Sequence, residues 1–556
     1  MEVCAGLYSL ERIIIFKNRN LEEGEFIGGM FMNWNLRLSR IAVWGGAIVL
    51  FALAAAFLVS ILIEGPLRRH MENEMNRSLK GYTVRLPDLD FHPIGLSVTL
   101  KDLTVLQQAH PDPPVAHFPV LHASLHWRAI LAGRLVAEFE LERPRIYINL
   151  AQLRAEAASE VPVEERGWQG AVQAIYPLKV NLLTIRDADL VYIDQDPKRP
   201  LHLSQLFLKA NNIRNIYSPE RTYPSPFRLE GNVFGTGRMA VKGNANFLAE
   251  PHPGIDAYLD LEETPLDYFR PILARYNFQI SDGLLSASGK IEYAPQIKIA
   301  HLRTLTANKV KLDYIHSAKT APQEKRRAEE TREAAREVSN KPGVLLRIDD
   351  LRLTGDLGMV NQAADPSYRL FFNRMDFHLT NLSNHFSEGE ARAKLNGYFM
   401  GSGNTSATAA FRPETDGPDF DLAVKIVGTK LPAMNDLLRA YGNFDVVAGS
   451  FSPLYSEIRV KNDTIDGYVK PLFKDVDVYD RRQDEEKNLF RKVYEGLVGG
   501  VAELLENQPR EQVATQADLS GEVEDPQAST WQIVVRLIQN AFVKAILPGF
   551  EREASG

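Results

Sequence analysis

Apolar and polar residues alternate along most of the chain beyond residue 80. In the run Val120-Leu121-His122-Ala123-Ser124-Leu125-His126-Trp127, one strand face would carry Leu121, Ala123, Leu125 and Trp127 and the other His122, Ser124 and His126. Residues 135–141 repeat the pattern with Leu135, Ala137, Phe139 and Leu141 inward, and Ile146, Ile148 and Leu150 continue it after Pro144. Further period-two runs fall at 96–105, 182–193, 201–210, 283–293, 371–382, 420–426 and 451–460. The pattern predicts a mainly β fold, a long curled antiparallel sheet of half-buried strands with an internal repeat. Helical spacing is confined to 67–79, 151–174, 264–276 and 429–441, and to two amphipathic stretches of the tail, 485–506 and 530–547. Segments 264–276 and 429–441 each open on a threonine suited to capping and carry a proline.

One segment follows neither period. Residues 41–63 are 23 in number and carry no charge, which makes a helix of roughly 30–35 Å, enough for a single transmembrane span. Arg37 and Arg40 precede it and Arg68, Arg69 and Arg77 follow it, so basic residues do not orient it. A lone early anchor reads as a signal anchor, with residues 1–40 in the cytoplasm and the bulk of the chain outside. In a Gram-negative cell that is an inner-membrane protein facing the periplasm. Glu22-Glu23-Gly24-Glu25 implies purine-rich codons just ahead of Met30 and Met32, so translation is expected to begin at one of these and residues 1–29 to lie outside the mature reading frame.

Self-comparison exposes a long repeat. Leu229-Glu230-Gly231-Asn232-Val233-Phe234-Gly235-Thr236-Gly237 recurs as Leu395-Asn396-Gly397-Tyr398-Phe399-Met400-Gly401-Ser402-Gly403, and Thr264, Tyr276 and Gly283 recur as Thr429, Tyr441 and Gly449. The expected organisation is 64–178 as the N-terminal part of the sheet, 179–316 and 343–480 as two β repeats, 317–342 as a charged insertion with a solvated face, and 481–556 as a helical tail. Twenty to thirty strands would extend roughly 100–140 Å.

The chemistry is sparse. Lys+Arg number 64 against Asp+Glu 71, for a net charge of -7, which argues against a nucleic-acid partner. The one cysteine, Cys4, excludes an internal disulfide and suits an oxidising compartment. The glycine-rich repeats lack the Lys-Ser/Thr of a phosphate loop and read as strand punctuation. His122 and His126 would stand roughly 13 Å apart on a strand, too far to share a metal. No nucleophile elbow, zinc-helix motif or acid–base pair is present, so neither an enzyme activity nor a cofactor is expected.

A sheet with one apolar face must close it against a second sheet, its own curl or a ligand. Twist favours a curl into an apolar-walled trough suited to acyl chains, and a dry sandwich is the alternative. The order of features resembles the AsmA-like branch of the AsmA/TamB superfamily of Gram-negative envelope proteins. The resemblance is carried by the anchor, Gly81-Tyr82-Thr83-Val84-Arg85-Leu86-Pro87-Asp88-Leu89-Asp90-Phe91, Leu96-Ser97-Val98-Thr99-Leu100-Lys101-Asp102-Leu103 and Trp127-Arg128-Ala129-Ile130-Leu131. Leu141-Glu142-Arg143-Pro144-Arg145, Ser281-Asp282-Gly283-Leu284-Leu285-Ser286, Gln512-Val513-Ala514-Thr515, Gly521 and Asn540-Ala541-Phe542-Val543 extend it, and the charged segment 317–339 departs from it. The resemblance implies an inner-membrane anchor, a periplasmic β-groove related to bridge-like lipid transfer proteins, phospholipid as cargo, and a role in outer-membrane biogenesis. An outer-membrane or periplasmic protein partner, or an oligomer, would complete a short bridge. The expected lipid-facing residues are Leu121, Ala123, Leu125, Trp127, Leu135, Ala137, Phe139, Leu141, Ile146, Ile148 and Leu150. The alternatives are a non-transporting scaffold for outer-membrane protein assembly or envelope regulation, and an envelope hydrolase.

Overall fold

The computed structural model describes residues 62–522, apart from 126–136, 158–179, 195–199, 214–221, 331–339, 413–418, 480–511 and isolated positions, together with scattered positions between 44 and 57. The chain forms two compact units, Met1–Ile63 and Glu64–Gly556. In the first, the described positions are helical, and large apolar side chains among them are exposed, Trp44 by 70% and Phe51 by 75%. Most of the expected span 41–63, and all of residues 1–40, lie outside the described residues, and no described helix is long and apolar enough to cross a membrane.

Among the described residues, the second unit is built on one mixed sheet of 23 strands, from β1 (Tyr82–Arg85) to β23 (Ala517–Glu522). Strands that follow one another in sequence lie side by side, so nearly every strand is a short-range product of its own alternation. Four pairs lie end to end on a shared neighbour: β1 with β2 (Asp88–His92), β5 (Ala137–Glu142) with β6 (Arg145–Asn149), β18 (Asp419–Val427) with β19 (Thr429–Lys430), and β22 (Gln512–Ala514) with β23. Subtracting those four from 23 leaves 19 ranks, about 85 Å at ~4.8 Å per rank and shorter than the strand count from sequence implied.

Among the described strands, pairing is antiparallel except at two junctions. Strands β5 and β6 run parallel to β7 (Val180–Ile193), and β13 (Ile297–His316) runs parallel to β14 (Val344–Asn361). A purely antiparallel sheet was the expectation. Parallel neighbours need a crossover of about a dozen residues or more, and both junctions occur where alternation gives way to Ala/Glu-rich or charged sequence. The charged segment 317–342 is therefore the connection that the β13–β14 pairing requires. The other junction follows the helix Leu150–Ala157, whose start is fixed by Asn149 Oδ1 accepting from the Ala151 N–H at 2.8 Å. Leu150 thus begins a helix rather than continuing the strand.

The two repeats, one on each side of the β13–β14 junction, fold alike. In the first, β9 (Ser225–Val233) turns into β10 (Gly237–Asn246); in the second, β16 (Ala391–Phe399) turns into β17 (Gly403–Arg412). The turns share left-handed geometry, with φ of 52° and 85° at Phe234 and Gly235 and of 49° and 75° at Met400 and Gly401. Gly237 and Gly403 are needed for close approach: a Cβ would stand 2.8 Å from Thr264 Cα in one and 1.9 Å from Thr429 Oγ1 in the other.

Thr264 and Thr429 do not cap helices, as expected from sequence, but end strands with 1% and 0% of their surface exposed. The 3-10 turns Leu266–Phe269 and Leu431–Met434 follow, without side-chain caps, and lead into the helices Arg270–Ala274 and Asn435–Gly442. Each helix satisfies the strand start beside it. Arg270 Nε donates to Ile280 O at 3.2 Å, and the Asn435 amide pairs with both the N–H and C=O of Val446 at 2.8 and 3.0 Å.

The tail differs from the purely helical expectation: β22 and β23 pair with β21 (Thr464–Tyr479). The stretches 485–506 and 530–547 lie outside the described residues.

Much of the apolar burial is gathered in three clusters, one under the helix over residues 64–78, one across β7–β12, and one around Asn435–Gly442, while Ile280, Val310, Ile348 and Met375 are buried outside them. The Gly403–Thr429 contact yields a prediction. Gly403→Ala should cost about 1–3 kcal/mol by overpacking, whereas Thr429→Val, which removes a buried hydroxyl with no hydrogen-bond partner among the described residues, should raise stability by about 1 kcal/mol; urea titration of the two variants measures both.

Candidate functional site

Residues paired across a ladder share a face, so the register can be followed from strand to strand. Starting in β3 (Ser97–Gln107), Leu100 pairs with Leu121, Leu121 with Leu141, Leu141 with Ile185, Ile185 with Leu208 and Leu208 with Leu229. The same row continues through Val241, Leu259, Gly289, Leu302 and Ile348 to Leu382. A second row starts at Ala287 and runs through Leu305, Leu351, Leu379, Ala393, Ala409 and Leu422 to Ile458. One apolar face therefore runs without a polar interruption from β3 to β20 (Asp445–Lys461).

Cover over this face is uneven. At its N-terminal end, Leu67, Met71, Met75 and Leu79 lie on or just beyond the helix and pack into the cluster formed with the first strands. That cluster buries Leu121, Ala123, Ala137, Phe139 and Leu141 to 9% exposure or less, and Leu125 packs against it. These residues were expected to line an open stretch; the helix fills the space above them. Ile146 sits on the same face beside Ala116 but is 38% exposed, and Ile148 and Leu150 are half-buried. Trp127 and Leu135 lie outside the described residues.

In the middle of the sheet the situation changes. Leu302, Leu305, Leu351, Leu353, Phe377 and Leu379, on β13, β14 and β15 (Tyr368–Ser383), face the same way, remain half-buried, and belong to none of the three clusters. With Leu285, Leu395 and Ala407 they make an apolar strip six ranks long, from β12 (Phe278–Ala294) to β17, about 25 Å at ~4.8 Å spacing. Sequence reading passed over β14 because the alternation steps by three between Ile348 and Leu351. Two apolar registers joined by one odd step are the signal that would have found it.

The opposite face is polar. Asp350 accepts from Arg352 and lies 3.1 Å from His378 Nε2, and Asp421 is held between Arg412 and Arg459. His117 stands 3.4 Å from Asp102, and His122 Nδ1 lies 3.0 Å from Thr99 Oγ1. Among the described residues no three metal-ligating side chains converge.

One polar constellation reaches the apolar side, at the start of the β13–β14 crossover. Glu324 accepts from Tyr314 Oη at 2.8 Å and from Asn277 and Thr320, and its Oε2 lies 2.8 Å from His316 Nδ1. Tyr314 and Phe278 are paired there with rings 5.2 Å apart. Burial works to raise the Glu324 pKa, but the hydrogen bonds from Thr320, His316 and Tyr314 outweigh it and hold the carboxyl below its ordinary range. Burial, reinforced by the hydrogen bond to Glu324, pushes the Tyr314 phenol above its ordinary value.

No protein-family model matches the chain, and no curated protein matches it closely enough to indicate a relative.

The carboxylate and phenol together define a pH window. A carboxyl with a lowered folded pKa contributes stability above its unfolded value, about 4.3 for Glu, which is lost as pH falls through the folded value. A phenol with a raised folded pKa contributes below its unfolded value of about 10, and that is lost as pH rises through the folded value. Amide hydrogen exchange at residues 317–324, corrected for intrinsic rates, should accelerate below about pH 4 and above about pH 10; Glu324→Gln should remove the acid limb.

Proposed function

We propose that this chain is a non-catalytic, membrane-anchored lipid carrier, whose sheet offers a trough for glycerophospholipid on its way to the outer membrane. The observation that carries the reading is the uncovered strip around Leu353 and Phe377 within a single-layered apolar face. A domain usually buries such a face against a second layer. Here helices cover the clusters at the two ends, and the strip around Leu353 and Phe377 is left half-exposed, which suits a replaceable occupant.

Size and energetics favour an acyl chain. Each leaflet of a bilayer contributes about half of a ~30 Å hydrocarbon core, so a strip of about 25 Å accommodates a whole tail. Each methylene moved onto the strip gains ~0.8 kcal/mol, and because the gain is spread over many equal contacts a tail can slide between ranks.

The uncharged span 41–63 would hold the carrier at the inner membrane with the sheet in the periplasm, as the AsmA-like resemblance implies. At about 85 Å or less, a partner or a second copy would complete the path. The absence of a second sheet among the described residues weighs against the scaffold alternative, which calls for a face closed by protein.

Lipid extraction from the purified full chain, followed by mass spectrometry, tests this. Glycerophospholipid should co-purify near stoichiometrically, and Leu353→Glu with Phe377→Glu should reduce it at least about tenfold. Thr354→Glu, on the polar face, should leave it unchanged. Equal lipid in both variants, or none in the unmodified chain, overturns the reading.

A further inference from the structure

We infer that the helix over residues 64–78 is a displaceable plug: it closes the N-terminal end of the apolar face, and lipid reaches the first ranks only when it lifts. The inference rests on the lipid reading above and adds a gate to it. The apolar stripe Leu67, Met71, Met75 and Leu79 recurs every four residues and packs into the cluster that also holds Leu121 and Phe139. These belong to the same face that lies uncovered at Leu302 and Leu305. The floor under the helix is therefore continuous with the open strip.

The polar side of the helix latches onto the edge of the sheet. Among the described residues, strands β1 and β2 have a ladder partner, β3, on one side only. On the other side, the Asn76 amide pairs with both the N–H and C=O of Val84, at 2.8 and 2.9 Å. Arg68 Nη1 donates to Leu86 O at 2.7 Å, and Glu64 Oε1 accepts from the Phe91 N–H at 3.2 Å. All four bonds join helix side chains to the backbone of β1, of β2 or of the link between them. No strand-to-strand hydrogen bond is broken when the helix leaves, and water can take over each of these partners. The two methionines bring flexible side chains to the contact, which lowers its demand for one fixed packing. Lifting the helix would extend the strip to the first ranks and leave every strand pairing in place.

The test places a benzoylphenylalanine photocrosslinker at Phe139, beneath the helix, or at Phe377, in the open strip. Full-length chain in phosphatidylethanolamine–phosphatidylglycerol vesicles carrying labelled lipid is compared with the same chain bearing Asn76→Ala and Arg68→Ala. The Phe377 probe should capture lipid equally in both backgrounds. The Phe139 probe should capture little in the unmodified chain and about tenfold more in the unlatched one. Equal capture at Phe139 in the two backgrounds, with Phe377 capture intact, overturns the plug and leaves the lipid reading standing. Loss of Phe377 capture in the unlatched chain alone also overturns it, by making the helix an indispensable part of the sheet. No capture at Phe377 in either background defeats the lipid reading, and the plug with it.

Discussion

Strand register is the constraint on which the rest of this molecule depends. A slip of one residue would turn a whole strand's apolar set to the opposite face. Here the pairing holds one apolar row from Leu100 to Leu382 and hands it to a second that reaches Ile458. It does so across two parallel junctions and a series of irregularities. Left-handed residues inside strands, such as Asp187, Gln205, Lys309 and Arg374, take up the extra residue at these places. A bulge both keeps the outlying register and bends the strand, so the features that interrupt alternation locally are also those that curve the sheet.

A sheet kept in register has two exposed liabilities, its edges and its apolar face, and short helices answer both. At the N-terminal edge Asn76 completes the backbone of Val84, and within the second repeat Asn435 does the same for Val446. The same helices bury methionine and leucine on the face below, Met71 and Met75 at one end and Leu437 and Leu438 at the other. At both of these ends, cover comes with an anchored helix, while the cluster across β7–β12 is built from strand residues. Leu302, Leu305, Leu351, Leu353, Phe377, Leu379 and Leu395 have the apolar character of their neighbours but are only half-buried, and a lipid reading follows from that contrast rather than from any catalytic group.

Much of this was legible in the sequence because it is local. Alternation in residues 116–125 or 201–213 is a property of a few neighbours, and the strands fall where it occurs. The glycines at 235 and 401 marked equivalent turns because left-handed backbone favours them. Thr264 and Thr429 show the limit. Their setting before a proline suggested helix caps, but each is held at a strand end against a glycine of the neighbouring strand, a contact no local pattern records.

By itself, then, the sequence determined the β character, the repeat, the turns and which side chains share a face, all of which rest on backbone preferences over ten residues or so. Only the tertiary structure decided which part of that face is covered. The alternation around Leu121 and Phe139 does not differ in kind from that around Leu353 and Phe377, yet the first is sealed by Met71 and Met75 and the second lies half-open. Burial depends on what arrives from elsewhere in the chain. The two parallel junctions were hidden for the same reason, since a strand's direction relative to its neighbour is set by the path of the connection between them.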